Sequence, residues 1–337
     1  VYILSGLTEK EEKKMSKLLE PSITYKPFNY PWAMQFAESH EKIHWGSWEA
    51  KLAEDVKQWK GSEIKDNEKK HITQILRVFT QSDCAVASNY CDQFIPHFKN
   101  NEIRNMLLSF ANREGTHQRA YALLNDTLGL AEEEYSTFLS FKEMKDKIEF
   151  MQSTEVSNHP SLKALGTALA QAVCNEGMSL FSAFVMLLNY QRSGKMKGMC
   201  EIVEWSIKDE SMHVEAMIKL FQTFCEENPR VVNNDLKKQI YTNFTQSVAL
   251  EDALVDLVYD GQEESICGLT AKEVKDYVRY LADRRLLQLG LKAQFGVESN
   301  PLPWLDWIVS GDSFKNFFEG VVTDYNADGM SGDWGWE

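Results

Sequence analysis

The sequence lacks the features that would place it in several large classes of protein. Its 337 residues include only 6 cysteines, with no CxxC pair and no regular spacing. In a chain of this length such usage argues against a disulfide framework and reads as reduced thiols of a cytoplasmic protein. Positive charge is scarce: 36 Lys and Arg stand against 50 Asp and Glu, a net charge of −14. An acidic surface repels phosphate backbones, so no nucleic-acid partner is expected. Alternation of apolar and polar residues is missing, and so is any repeat of fixed period, which argues against sheet folds. No signal-peptide pattern opens the chain, although it begins at Val1 without a methionine, and a segment lost from this end stays open. Long apolar runs are limited to "ALGTALAQAVCNEGMSLFSAFVMLLNY", residues 164–190. Its length would span a bilayer. Gln171, Asn175 and Glu176 sit near its centre, however, where a charge is costly in lipid. It reads as the innermost helix of a soluble bundle, with no membrane partner.

Helical periodicity is abundant. It predicts helices near 8–19, 31–44, 64–93, 101–128, 131–152, 160–190, 197–226, 233–259 and 269–294. Pro96, Pro160, Gly194 and Pro229 punctuate the breaks. Long helices of this kind imply an all-α bundle. After Glu319 the composition turns to Gly, Asp and Asn with isolated aromatics, "GVVTDYNADGMSGDWGWE". Such a segment buries too little to order itself. The organisation expected is therefore one helical domain over 1–318 and a flexible C-terminal tail over 319–337. That tail is either frayed or a docking peptide carrying Tyr325, Trp334 and Trp336.

Four of the long helices place acids on apolar faces. At helical spacing, Met106, Phe110, Glu114, His117, Tyr121 and Leu124 share one stripe. Leu76, Phe79, Asp83, Val86 and Tyr90 form a second. Leu169, Val173, Glu176, Leu180, Phe184 and Leu187 form a third, and Val203, Ser206, Glu210, His213, Met217 and Leu220 a fourth. A lone ExxH is weak evidence, since Glu41/His44 and Glu68/His71 also match it. The order is stronger than its parts: carboxylate, ExxH, carboxylate, ExxH, one set per helix. This is the ligand pattern of ferritin-like di-metal carboxylate bundles. Four ionised carboxylates in a core would each cost several kcal/mol unpaired. Two divalent cations would neutralise them, with two imidazoles completing the shells. Glu and His three apart point the same way, so each ExxH can serve one metal. Oxygen and nitrogen donors of this kind suit iron or manganese.

The motifs "RVFTQSDCAV", "REGTHQRAY", "CNEGMSLF" and "IKDESMH" resemble those of a known family, the radical-generating small (beta) subunit of class I ribonucleotide reductase. The resemblance runs from "YKPFNYPWA" to the tail. It implies a ferritin-like helical bundle whose metal ligands are Asp83, Glu114, His117, Glu176, Glu210 and His213. Two metal ions per chain are implied, iron first, with manganese or a mixed pair as alternatives. It implies that Tyr121 is oxidised to a stored radical. Trp45 and Asp209 would relay the radical, with Asp209 joining Trp45 to His117, and Tyr325 would carry it across to a large catalytic subunit that reduces ribonucleotides. The partners implied are that large subunit, engaged through the C-terminal tail, and a second copy in a homodimer. The rival readings are a di-iron oxygenase or desaturase on the same bundle, and a metal-storage protein. Neither would need Trp45, Tyr121 and a docking tail together.

Overall fold

Local signals set where the helices start and stop. Pro31 opens α1 (Pro31–Lys42), where its missing N–H leaves no bond unmade. Next come α2 (Ala53–Lys60) and α3 (Asp66–Ser88). Asn100 caps α4 (Asn101–Leu128), its side-chain oxygen accepting from the N–H groups of Glu102 and Ile103 at 3.0 and 3.2 Å. Those are donors that the first turn of a helix cannot satisfy by itself. Gly129 ends α4 at φ 76°, a conformation open to glycine because it has no Cβ. Short α5 (Glu134–Thr137) and α6 (Lys142–Gln152) follow. Ser161 caps α7 (Leu162–Cys174) by accepting from Ala164. The remaining helices are α8 (Phe181–Leu188), α9 (Lys197–Glu227), α10 (Asn234–Val258), α11 (Ala271–Gln288) and α12 (Pro303–Val309).

The structure, a computed structural model, describes residues 17–153 and 156–309. Nearly all of the helix expected at 8–19 lies outside them, as do Tyr325 and the 319–337 segment. No strand occurs among the described residues; Ile266 and Leu269 form an isolated bridge. The helix expected over 131–152 is broken, because Phe138–Ser140 tightens into a 3-10 turn and Phe141 is extended. The eight-residue α2 was not foreseen, being too short for a clear stripe.

Packing makes a ferritin-like bundle. α3 lies against α4 and α6; α4 lies against α1 and α9; α7 packs on α9 and α10; α8 packs on α9 and α11. Among the described residues, one helical run is long and apolar enough to cross a bilayer, Leu162–Ser193, and its most apolar window is 100% buried. A helix apolar nearly all round belongs at the centre of a bundle. Two π turns interrupt the ladder. One, Asn89–Phe94, follows α3; the other, Asn175–Ser179, separates α7 from α8. In the first, the N–H of Ile95 donates to the Tyr90 carbonyl; in the second, the N–H of Leu180 donates to the Asn175 carbonyl. Single π turns recur at functional positions. Here they carry Tyr90 and Glu176.

Candidate metal centre

Six side chains foreseen as metal ligands converge inside the bundle. α3 supplies Asp83, α4 supplies Glu114 and His117, the second π turn supplies Glu176, and α9 supplies Glu210 and His213. All six are buried. Their donor atoms fall into two overlapping groups, Asp83–Glu114–His117 and Glu114–Glu176–Glu210–His213, with donors in each within 4.8 Å of one another. The two ExxH glutamates each face both imidazoles. Glu114 sets one oxygen 3.4 Å from His117 Nδ1 and the other 3.1 Å from His213 Nδ1. Glu210 does the same at 3.2 and 3.5 Å. A carboxylate placed between two donor sets is suited to bridging two cations.

The donor set fits such a pair on an independent criterion. Buried polar atoms are almost always hydrogen-bonded. Yet Asp83 Oδ2, both carboxylate oxygens of Glu114 and of Glu210, and the Nδ1 atoms of His117 and His213 have no hydrogen-bond partner, and all are buried. These atoms point at one another. Four carboxylates and two imidazoles converging in a buried core could hold hard or borderline divalent cations. The protonation pattern says the same. Burial pushes Asp83 well above the usual carboxylate range, and burial raises Glu176 to about 7, although His213 counteracts part of that. Burial would lower the two ligand histidines, but the carboxylates around them outweigh it and hold both well above the ordinary imidazole value. Cations bound among these groups would compete with their protons.

Outer contacts orient the two imidazoles differently. His117 turns Nε2 to Asp209 Oδ2 at 3.1 Å. The same oxygen accepts from the indole N–H of Trp45 at 2.7 Å. Trp45 is buried, and its ring lies 5.8 Å from that of His117, 20° from parallel. Arg113 donates through one nitrogen to both oxygens of Asp209 at 2.9 and 3.0 Å. Burial raises the Asp209 pKa, but His117 and Arg113 outweigh it, so the carboxylate lies below its ordinary range and is ionised. His213 instead turns Nε2 to Nε2 of His40 at 3.1 Å, and His40 Nδ1 reaches Ser109 Oγ at 2.8 Å.

Tyr121 lies on the same stripe of α4, one turn beyond His117, fully buried, its hydroxyl donating to Ser206 Oγ at 3.1 Å. The Phe79 ring stands edge-on to it at 4.5 Å. Tyr325 is outside the described residues. Of the functional neighbours, Arg113, His40 and Ser109 were not foreseen. Arg113 precedes Glu114 directly and reads as a surface cation at a helical position. No local pattern in the sequence marks it; only the structure shows it among the three donors that buried Asp209 answers.

Comparison with known proteins agrees with this geometry. The sequence model described as "Ribonucleotide reductase, small chain" matches residues 22–301. A protein named probable ribonucleoside-diphosphate reductase small subunit 376L, from Invertebrate iridescent virus 6, is 38% identical, covering 94% of this chain and 97% of its own. Two solved structures share the fold at 19% identity and a TM-score of 0.74. The dimanganese(II)-NrdF of Streptococcus sanguinis covers 86% of this chain and 100% of its own. The ribonucleotide reductase Rnr4 homodimer of Saccharomyces cerevisiae covers 94% and 95%. With the family model spanning most of its length and a viral relative matched nearly end to end, the chain belongs to the small-chain family of ribonucleotide reductases.

Proposed function

We propose that this chain, the small subunit of a ribonucleoside-diphosphate reductase, stores its oxidising equivalent as a radical on Tyr121. The carrying observation is the placement of a fully buried phenol on the same helix face as Glu114 and His117. Asp83, Glu114, His117, Glu176, Glu210 and His213 would hold two metal ions, iron, manganese or one of each. Bound there and oxidised by an oxygen species, such a pair would supply the one-electron oxidant for the tyrosine. Tyr121 is the group that would be oxidised, and Phe79, with the apolar stripe around it, keeps water from its ring. Burial also holds the phenol's pKa well above its ordinary value, so the resting hydroxyl is protonated.

Trp45, Asp209 and His117 form the proposed relay. An ionised Asp209 between the indole N–H and the imidazole fixes both rings and can accept a proton as the indole is oxidised. Tyr325 and the 319–337 segment are proposed to carry the radical across to the large subunit and to dock on it. That reading rests on the sequence of the segment. A homodimer in the cytoplasm is the proposed working form, in keeping with a fold relative solved as a homodimer.

Electron paramagnetic resonance with metal analysis of one sample tests the proposal. Wild-type protein is expected to show a tyrosyl signal with about two metal ions per chain. Tyr121→Phe is expected to keep the metals, lose the signal and lose reductase activity with the large subunit. Full activity of that variant refutes radical storage on Tyr121.

A further inference from the structure

One buried phenol in the centre has no part in the scheme above. Tyr90 leaves α3's stripe through the first π turn, and its hydroxyl donates to Glu176 Oε2 at 2.6 Å. Tyr90 is 1% exposed and Glu176 2%. Both partners thus sit on π turns, and the bond joins the two turns across the core. The Glu176 turn is itself braced from outside. Buried Lys147 donates to the Ser179 carbonyl at 2.6 Å and is paired with Glu251, also at 2.6 Å. Buried Arg285 donates to the Gly177 carbonyl at 3.1 Å. Position 177 must be glycine for this, since a Cβ there would meet Arg285 Nε at 2.7 Å.

Glu176 differs from the other carboxylates in having this donor. Both oxygens of Glu114 and of Glu210 are unpartnered. Glu176 has one oxygen held by Tyr90 and lies 3.4 Å from His213 Nδ1 through the same atom. A hydrogen bond in a dry core fixes a rotamer that a free carboxylate would sample. Resting on the metal reading above, we propose that Tyr90 is a positioning residue that fixes Glu176 as a terminal ligand of one metal position, the one shared with His213. Among the described residues no phenol is recorded donating to Asp83 or His117, of the other donor group; Tyr121 donates to Ser206 instead. The two positions therefore load with unequal affinity, and Tyr90 sets part of the difference.

The test uses metal-free full-length protein and Mn(II) alone, titrated without oxygen, in wild type and Tyr90→Phe. Calorimetry reads the two affinities, and paramagnetic resonance separates isolated Mn(II) from coupled pairs. Wild type is expected to bind two ions. Tyr90→Phe is expected to weaken one by about tenfold or more, the range for losing an outer partner of a ligand, and to leave the other unchanged. At equal loading the variant then shows isolated Mn(II) where wild type shows coupled pairs. Equal affinities in variant and wild type overturn the proposal, as does equal weakening of both ions with a lowered Tm, which marks packing alone. Should wild type itself bind no metal, the metal reading fails, and that result is distinct from a failure of Tyr90. Lys147→Arg, which keeps a cation beneath the same turn, is expected to retain both ions. Loss of the same single ion there would place the control of Glu176 in the brace and overturn the role of the phenol.

Discussion

The two histidines of the centre make an instructive pair. Each follows its glutamate by three residues, each turns Nδ1 inward, and each turns Nε2 outward to a buried partner. Their partners are opposites. His117 meets an anion, Asp209, itself tied to Arg113 and the Trp45 indole. His213 meets a neutral imidazole. Burial first, and His213 second, lower His40 to about 2, so it carries no charge. Beyond Asp209 an aromatic path continues from Trp45 to Trp205, 5.1 Å away between ring centres. Beyond His40 one bond reaches Ser109, and His40 Nε2 also lies 3.6 Å from Asp209 Oδ1. One motif used twice thus meets an ionised carboxylate directly on one side and reaches the same Asp209 only at longer range, through a neutral imidazole, on the other. The proposed relay runs on the first side.

The comparison can be broken at its shared element. Glu114 serves both donor groups, so Glu114→Ala is expected to abolish binding of both metals and all activity, by metal analysis and assay. Retention of one tight ion would show that the halves are independent. A more selective change sharpens the contrast. Asp209→Asn keeps the shape but removes the charge behind His117 and leaves Arg113 unpaired. Activity with the large subunit is expected to fall by about a hundredfold, with the Tyr121 signal still formed; the loss of a charged outer partner commonly costs 10–100-fold.

Protons give a third handle. Without cations His117 and His213 hold protons above their ordinary range, and Glu176 titrates at about 7. Metal must displace those protons, so binding competes with acid and strengthens as pH rises through 7. Calorimetry in buffers of different ionisation enthalpy should register proton release on metal uptake, larger at pH 6 than at pH 8. The smallest effect is expected from Ser206→Ala. It removes the acceptor of the Tyr121 hydroxyl, a loss of about 1 kcal/mol. The radical should still form, with a shifted g-value and a shorter lifetime in the resonance spectrum.

The proposed ligands were legible in the sequence because helical spacing puts i and i+3 on one face, and because an acid inside an apolar stripe is conspicuous. Trp45 and Asp209 came from the resemblance, and in the structure the Trp45 indole N–H donates to Asp209 Oδ2 at 2.7 Å. What was hidden is of two kinds. Arg113, His40 and Ser109 act through partners on other helices, and no local pattern encodes such pairings. The π turns were hidden too, because a five-residue hydrogen bond changes no residue type. The stripe through Leu169, Glu176 and Phe184 still reads as one helix across 175–179. Tyr90 stood in the α3 stripe as an ordinary core aromatic, and only the hydrogen bond to Glu176 sets it apart.

The second π turn also bears on how a side chain between two helices is aimed. An α-helix advances about 100° per residue, so one extra residue inside a helix swings everything beyond it to another face. A wide turn at Asn175–Ser179 absorbs such a step within one winding. It separates the register of α7 from that of α8. Lys147 and Arg285 hold that winding by the Ser179 and Gly177 carbonyls, so the aim of the carboxylate is braced from outside both helices.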